Sequence, residues 1–106
     1  MAAWMLVLQK RQSTDWVAEY VAHVPTIIKK YDGKYLGVSQ KVTQVENDLT
    51  GPSTPSVELI AIFSFTTKDR ISEFLACAEY QHYLKLRKDN SASDIFIMDH
   101  VITDFP

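Results

Sequence analysis

Cysteine is nearly absent: Cys77 stands alone among 106 residues. One thiol cannot close an internal disulfide, which suits a reducing compartment and points to the cytoplasm. Glycine is scarce as well, with three residues. The chain has neither a Gly-rich phosphate loop nor the Gly-x-Ser-x-Gly turn of a serine hydrolase. No sign of charge dominates. Eleven Lys and Arg against thirteen Asp and Glu leave a net charge of −2, which gives no long-range pull toward nucleic acid or an anionic membrane. The apolar run at the start, Ala2 to Leu8, has no basic residues before it. It is too short for a signal peptide or a membrane span. His23, His82 and His100 are the three histidines, and no two stand at metal-ligand spacing. Neither a metal nor another cofactor is expected.

What is present is an ordinary globular composition, 46% hydrophobic and 23% charged, in a length that suits one domain over residues 1–106. The clearest strand is Val57 to Phe65. Val57, Leu59, Ala61, Phe63 and Phe65 fall on one face, and Glu58, Ile60, Ile62 and Ser64 on the other. Such a strand is buried on both sides. Trp4 to Gln9 has the same character, with Trp4, Leu6 and Leu8 opposite Met5 and Val7.

Between these strands, Ser13-Thr14-Asp15 offers a helix cap. Val17, Tyr20, Val21, Val24, Ile27, Ile28 and Tyr31 follow at helical spacing. Pro25 predicts a kink in this helix, and Gly33 its stop. Lys34 to Val45 is the most polar strand, which places it at an edge or a bend, and Gly37 is a candidate for a bulge. Glu46 to Ser56 reads as a long loop. After the central strand, Thr66 or Thr67 caps a second helical region with Ile71, Phe74, Leu75 and Ala78 inward. It restarts near Glu79 with Tyr80, Tyr83, Leu84 and Arg87 on one face, so a break is expected near Cys77-Ala78. Asp89 to Ser93 reads as a turn and Ile95 to Ile102 as the last strand, carrying Asp99 and His100.

Strand, helix, strand, strand, helix, strand is the ferredoxin-like βαββαβ order. It gives an α+β fold with a four-stranded antiparallel sheet and the helices on one face. The other face is still apolar. Leaving it wet forgoes roughly 1.5–3 kcal/mol for each large side chain. A homodimer packed through the sheet faces, with the helices outside, is therefore expected.

Tyr20, Val24-Pro25, Tyr31, Gly33, Tyr35-Leu36, Glu79-Tyr80-Gln81 and Leu86-Arg87 together resemble a family known only as a domain of unknown function, number thirteen-thirty, of the dimeric α+β barrel superfamily. The resemblance runs from about Trp4 to Val101 and implies the same ferredoxin-like dimer. Related barrels include cofactor-free monooxygenases, lactone isomerases, stress-responsive proteins and haem enzymes, so it fixes fold better than chemistry. Three features depart from the family pattern. Cys77-Ala78 stands where Ser-Pro is common, which implies a softer helix break. Val38-Ser39-Gln40 stands where Arg and Gly are common. The 46–56 loop is longer.

A pocket between sheet and helices is the place for chemistry. Tyr35, Tyr80 and Tyr83 are candidates to line it, with His82 at its edge. Arg87 could hold a carboxylate by two points, or instead serve a salt bridge or a helix C-terminus. His100, on an apolar strand face, could act as a general base or be a core or interface histidine. Two functions remain open. One is a pocket that binds or transforms a small aromatic or carboxylate-bearing metabolite, by resemblance as a cofactor-independent monooxygenase or isomerase if it is an enzyme. The other is a structural or regulatory homodimer with a filled interior. RNA-recognition domains share the element order, and Phe63 and Phe65 alternate as stacking aromatics do. The flanking basic signature is missing, however, and no nucleic-acid or membrane partner is expected.

Overall fold

The computed structural model describes residues 2–49, 51 and 56–106. Its elements are β1 (Ala3–Arg11), α1 (Val17–Lys30), β2 (Lys34–Ser39), β3 (Leu59–Phe65), α2 (Lys68–Ala76), α3 (Ala78–Asn90) and β4 (Ser91–Met98). The strands form one antiparallel sheet in the order β2-β3-β1-β4. This is the expected ferredoxin-like α+β arrangement, with β2 at an edge. Its register slips between Tyr35 and Gly37, next to the glycine expected to mark a bulge.

Strand alternation decides the two faces. Ala3, Met5, Val7, Leu59, Ala61, Phe63 and Phe65 are buried in one cluster with Val24, Ile27 and Ile28 of α1, Ile71 and Phe74 of α2, and Tyr80 of α3. The opposite face carries Trp4, Leu6, Leu8, Ile60 and Ile62, all half-buried, with the exposed Phe96 and Met98 beside them. Glu58 and Ser64 belong to this open face, where Glu58 pairs with Lys10.

Several boundaries move for identifiable reasons. No hydroxyl caps α1. Val17 N–H reaches the Thr14 carbonyl at 3.2 Å, while Ser13 turns to Asn90 Oδ1 at 3.1 Å. Pro25 lies inside α1 without interrupting it. The Val21 carbonyl that Pro25 cannot serve belongs to an exposed residue, within reach of water. At the far end Asp32, not Gly33, adopts the left-handed conformation (φ 64°). The Gly33 N–H closes onto the Ile28 carbonyl at 3.0 Å. Gly33 is needed for closeness: a Cβ there would meet the Phe65 ring at 2.5 Å.

β2 ends at Ser39 and not at Val45. Within the expected 46–56 loop the described residues form neither helix nor strand, and Thr50 and residues 52–55 lie outside the described set. Thr67 caps α2, accepting from Arg70 N–H at 3.2 Å. The break between α2 and α3 falls at Cys77, which is extended (φ −67°, ψ 149°). It is sharp even without Ser-Pro. The Gln81 amide donates to the carbonyls of Leu75 and Cys77 at 3.1 and 2.9 Å, supporting the interrupted turn.

The expected turn at Asp89 to Ser93 is absent. Its polar residues finish the helix instead: Asn90 Nδ2 donates to the Leu86 carbonyl at 2.8 Å and Ser91 Oγ to the Arg87 carbonyl at 2.6 Å. The chain then passes directly into β4, four residues ahead of its expected start. The strand stops at Met98, where Asp99 Oδ1 accepts the His100 N–H at 2.9 Å. His100 itself is left-handed (φ 52°).

Candidate functional site

Between the covered sheet face and the helices lies a cavity of about 250 Å³. Met5, Val7, Leu59, Ala61 and Phe63 form its floor, and Val17, Tyr20, Pro25 and Ile28 of α1 close it from above. Phe74, Tyr80 and Arg87 complete the wall from α2 and α3. Exposed Val21, Val38 and Gln40 mark its rim. The size is just below the usual span of ligand sites, about 300 to 1,000 Å³, and suits a small molecule.

The cavity has an apolar part and a polar end. The polar end forms because β1 keeps its alternation beyond its apolar residues, so Gln9 and Arg11 follow Met5 and Val7 onto the covered face. Arg11 pairs with Ser91, the residue whose hydroxyl holds the Arg87 carbonyl. Both arginines therefore stand at the same end of the sheet. Arg87 is only 5% exposed. Its Nε donates to Tyr80 Oη at 3.4 Å, a long contact, and Tyr80 and Tyr20 share a hydroxyl hydrogen bond of 2.7 Å. No carboxylate among the described residues lies within 4 Å of the Arg87 guanidinium.

The Tyr20 and Tyr35 phenols remain protonated at neutral pH. Burial, then the neighbouring Tyr80, pushes the Tyr20 hydroxyl far above the usual tyrosine range. Burial also raises Tyr35, with Tyr80 adding to it. The polar end therefore offers hydrogen-bond donors: guanidinium N–H groups and neutral hydroxyls. Among the described residues that line it there is no Asp or Glu.

Tyr35, Tyr80 and Arg87 meet at this cavity, and Tyr35 packs on Phe63 with ring centroids 4.3 Å apart. The other three candidates do not reach it. Tyr83 fills the seam between α1 and α3, edge-on to Tyr20 and His23, beside a shallow hollow that includes Lys30 and Glu79. His82 is exposed, its Nε2 3.4 Å from Glu19 Oε1. His100 lies past the end of β4, exposed, 3.7 Å from Asp99. The apolar strand face assigned to it ends two residues earlier, so no buried base stands there. Sequence reasoning passed over Tyr20, Gln9, Arg11 and Trp16. Tyr20 was in the α1 stripe, and strand parity would have placed Gln9 and Arg11. Among the described residues no three of His, Cys, Asp and Glu cluster as metal ligands, and no helix is long and apolar enough to cross a membrane.

Solved structures with the same fold extend over nearly the whole chain. A protein of unknown function from Rhodopseudomonas palustris, RPA0582, superimposes with a TM-score of 0.71 at 15% identity, covering 95% of this chain and 83% of that one. SnoaB, a cofactor-independent oxygenase from Streptomyces nogalater, gives 0.65 at 12% identity, covering 97% and 96%. A nipsnap family protein of unknown function from Agrobacterium tumefaciens gives 0.57 at 16% identity, covering 98% and 91%. At such identities the likeness is one of fold. No curated protein matches the sequence. The family description that does match spans residues 2–101. With the βαββαβ sheet and the cavity above it in place, the chain belongs to the family described as Domain of unknown function (DUF1330), with the protomer fold of the dimeric α+β barrels.

Proposed function

We propose that this protein binds a small aromatic carboxylate in the cavity between sheet and helices, and that it does so as a homodimer packed through the open sheet faces. One observation carries the ligand reading: Arg87 is buried and has no acidic partner among the described residues. A buried cation without a counter-ion is costly, by several kcal/mol even after relaxation. A carboxylate entering beside it supplies the missing charge and accepts from two guanidinium N–H groups at once. The aromatic part suits the remaining walls, where Phe63, Phe74 and Tyr35 offer ring faces and edges. A purely structural dimer predicts a filled interior, and the cavity of about 250 Å³ weighs against it.

The dimer rests on the open face. Burying Leu6, Leu8, Ile60, Ile62 and their neighbours against a second copy recovers about 1 kcal/mol or more for each. The sum approaches the stability of a whole domain, about 5–15 kcal/mol.

Trp16 lines the cavity and is buried, so its fluorescence reports occupancy. Titration with 1-naphthoate and with the uncharged 1-naphthalenemethanol is the test. Naphthoate is expected to bind more tightly by about tenfold or more, with the difference lost in Arg87→Met. Equal affinity for acid and alcohol, or unchanged naphthoate binding in Arg87→Met, rules out the role of Arg87. Sedimentation equilibrium tests the dimer, and a monomer at micromolar concentration ends that part of the proposal.

A further inference from the structure

We propose that the ligand carries two anionic groups and that Arg11 receives the second. The inference rests on the pocket reading above and extends it. Arg11 lines the same cavity and stands at the same end as Arg87. The two side chains are held alike. Arg87 spends its Nε on Tyr80 Oη at 3.4 Å, and Arg11 spends its Nε on Gln9 Oε1 at 3.3 Å. Gln9 is in turn fixed by donating to Ser93 Oγ at 3.2 Å. In each arginine the anchored atom is the inner nitrogen. The two terminal amino groups, which grip a carboxylate by two points, have no acceptor among the described residues. Arg11 also has its guanidinium carbon 6.0 Å from the centre of the Trp16 ring. An aromatic face attracts the cation and orients it without neutralising it.

Neither arginine has an acid within 4 Å among the described residues. Glu58 is the carboxylate that feels Arg11: its pKa is lowered first by the hydrogen bond from Lys10 and lastly by the charge of Arg11, but its ion pair is with Lys10 on the open face. Two guanidiniums that line one cavity favour a ligand with two negative charges over one with a single charge. A monoanion at Arg87 leaves Arg11 with no acid within 4 Å among the described residues. The fitting chemistry is an aromatic ring bearing two carboxylates, both acceptor-only groups that match the free guanidinium donors at this end.

The experiment is calorimetric titration of the full chain with benzoate, phthalate, isophthalate and terephthalate near neutral pH. The three dicarboxylates differ in the separation of their charges. At least one is expected to bind about tenfold more tightly than benzoate, with a steeper loss of affinity as salt rises. In Arg11→Met the ratio of dicarboxylate to benzoate affinity is expected to fall to about one, and in Arg11→Lys to an intermediate value. Thermal melts of both variants verify folding. The inference is overturned if no dicarboxylate exceeds benzoate, or if Arg11→Met weakens both ligands by the same factor. If benzoate binds through Arg87 and the diacids gain nothing, the role of Arg11 falls while the pocket reading stands. If none of the four binds, the pocket reading falls and takes this inference with it.

Discussion

On the covered face of the sheet, Met5, Val7, Leu59 and Ala61 lie beneath helices. On the open face, Leu6, Leu8, Ile60 and Ile62 have no helix over them among the described residues. The apolar side chains of the two faces are nearly interchangeable, and the polar ones separate them. On the open face Lys10 and Glu58 pair at the rim, and the exposed Asp94, opposite Leu8, and Lys34, opposite Ser64, add one charge of each sign. On the covered face Arg87 is buried and Arg11 half-buried, and among the described residues neither has an acid within 4 Å. A surface meant for a second copy of the chain can carry exposed charges of both signs around an apolar centre. A cavity meant for an anion leaves its cations waiting. Apolar content signals that a face needs cover, and charge of a single sign indicates what kind of cover fits.

The comparison can be broken most severely on the open face. Ile62→Lys puts an unpaired charge at the middle of the proposed interface. It is expected to weaken the dimer by about 3 kcal/mol or more, read by sedimentation equilibrium. A dimer of unchanged affinity would mean that the face serves another purpose.

On the covered face the largest structural effect is expected from Gly33→Ala. Its new Cβ meets the buried Phe65 ring at 2.5 Å and Ile28 at 2.6 Å. Crowding of this kind costs about 1–3 kcal/mol, measured by denaturant unfolding. A neutral result would show that the α1 terminus shifts freely.

Arg87→Met sharpens the contrast, because its two readouts move in opposite directions. Naphthoate affinity falls to that of the uncharged alcohol, while the ligand-free protein is equally stable or gains about 1 kcal/mol, as replacement of a buried charge by an apolar side chain allows. Marked destabilisation would identify Arg87 as a structural residue.

Tyr20→Phe removes the hydroxyl contact to Tyr80 and is expected to cost about 1 kcal/mol, read in the same unfolding experiment. The smallest effect is one of pH. Tyr20 and Tyr35 have raised pKa values in the fold, so the folded state holds these protons more tightly than the unfolded chain. Stability from this source is complete below the ordinary phenol value of about 10. It declines as pH rises through that value toward the folded ones. Unfolding free energies that do not fall between about pH 9 and pH 11 would mean that these hydroxyls are less buried than the structure has them.

The strands and their faces were legible because alternation is a strong signal where both faces are apolar. β4 was misplaced by four residues because Ser91, Ser93 and Asp94 have the composition of a turn. Composition does not reveal that Ser91 is occupied in closing α3. Arg87 and Tyr80 were legible from the α3 stripe and from the family residues. His82 was a poorer choice, since it lies off that stripe, and His100 fell with the misplaced strand. Arg11 was hidden by its position at a strand end, where a polar residue reads as an exit to solvent. Parity with Met5 and Val7 placed it inward, but nothing in the sequence said how far the strand continued.

Cys77 carries a consequence best expressed as a rotation. Ile71 and Tyr80 are both buried, yet on an unbroken helix turning about 100° per residue they would face opposite directions. Arg87, seven residues after Tyr80, would follow Tyr80 outward. One extended residue between α2 and α3 turns the second helix by roughly half a revolution relative to that continuous path. It thereby aims a tyrosine and an arginine inward that would otherwise meet water. The chemical character of the cavity therefore depends on the backbone state of a residue that does not line it.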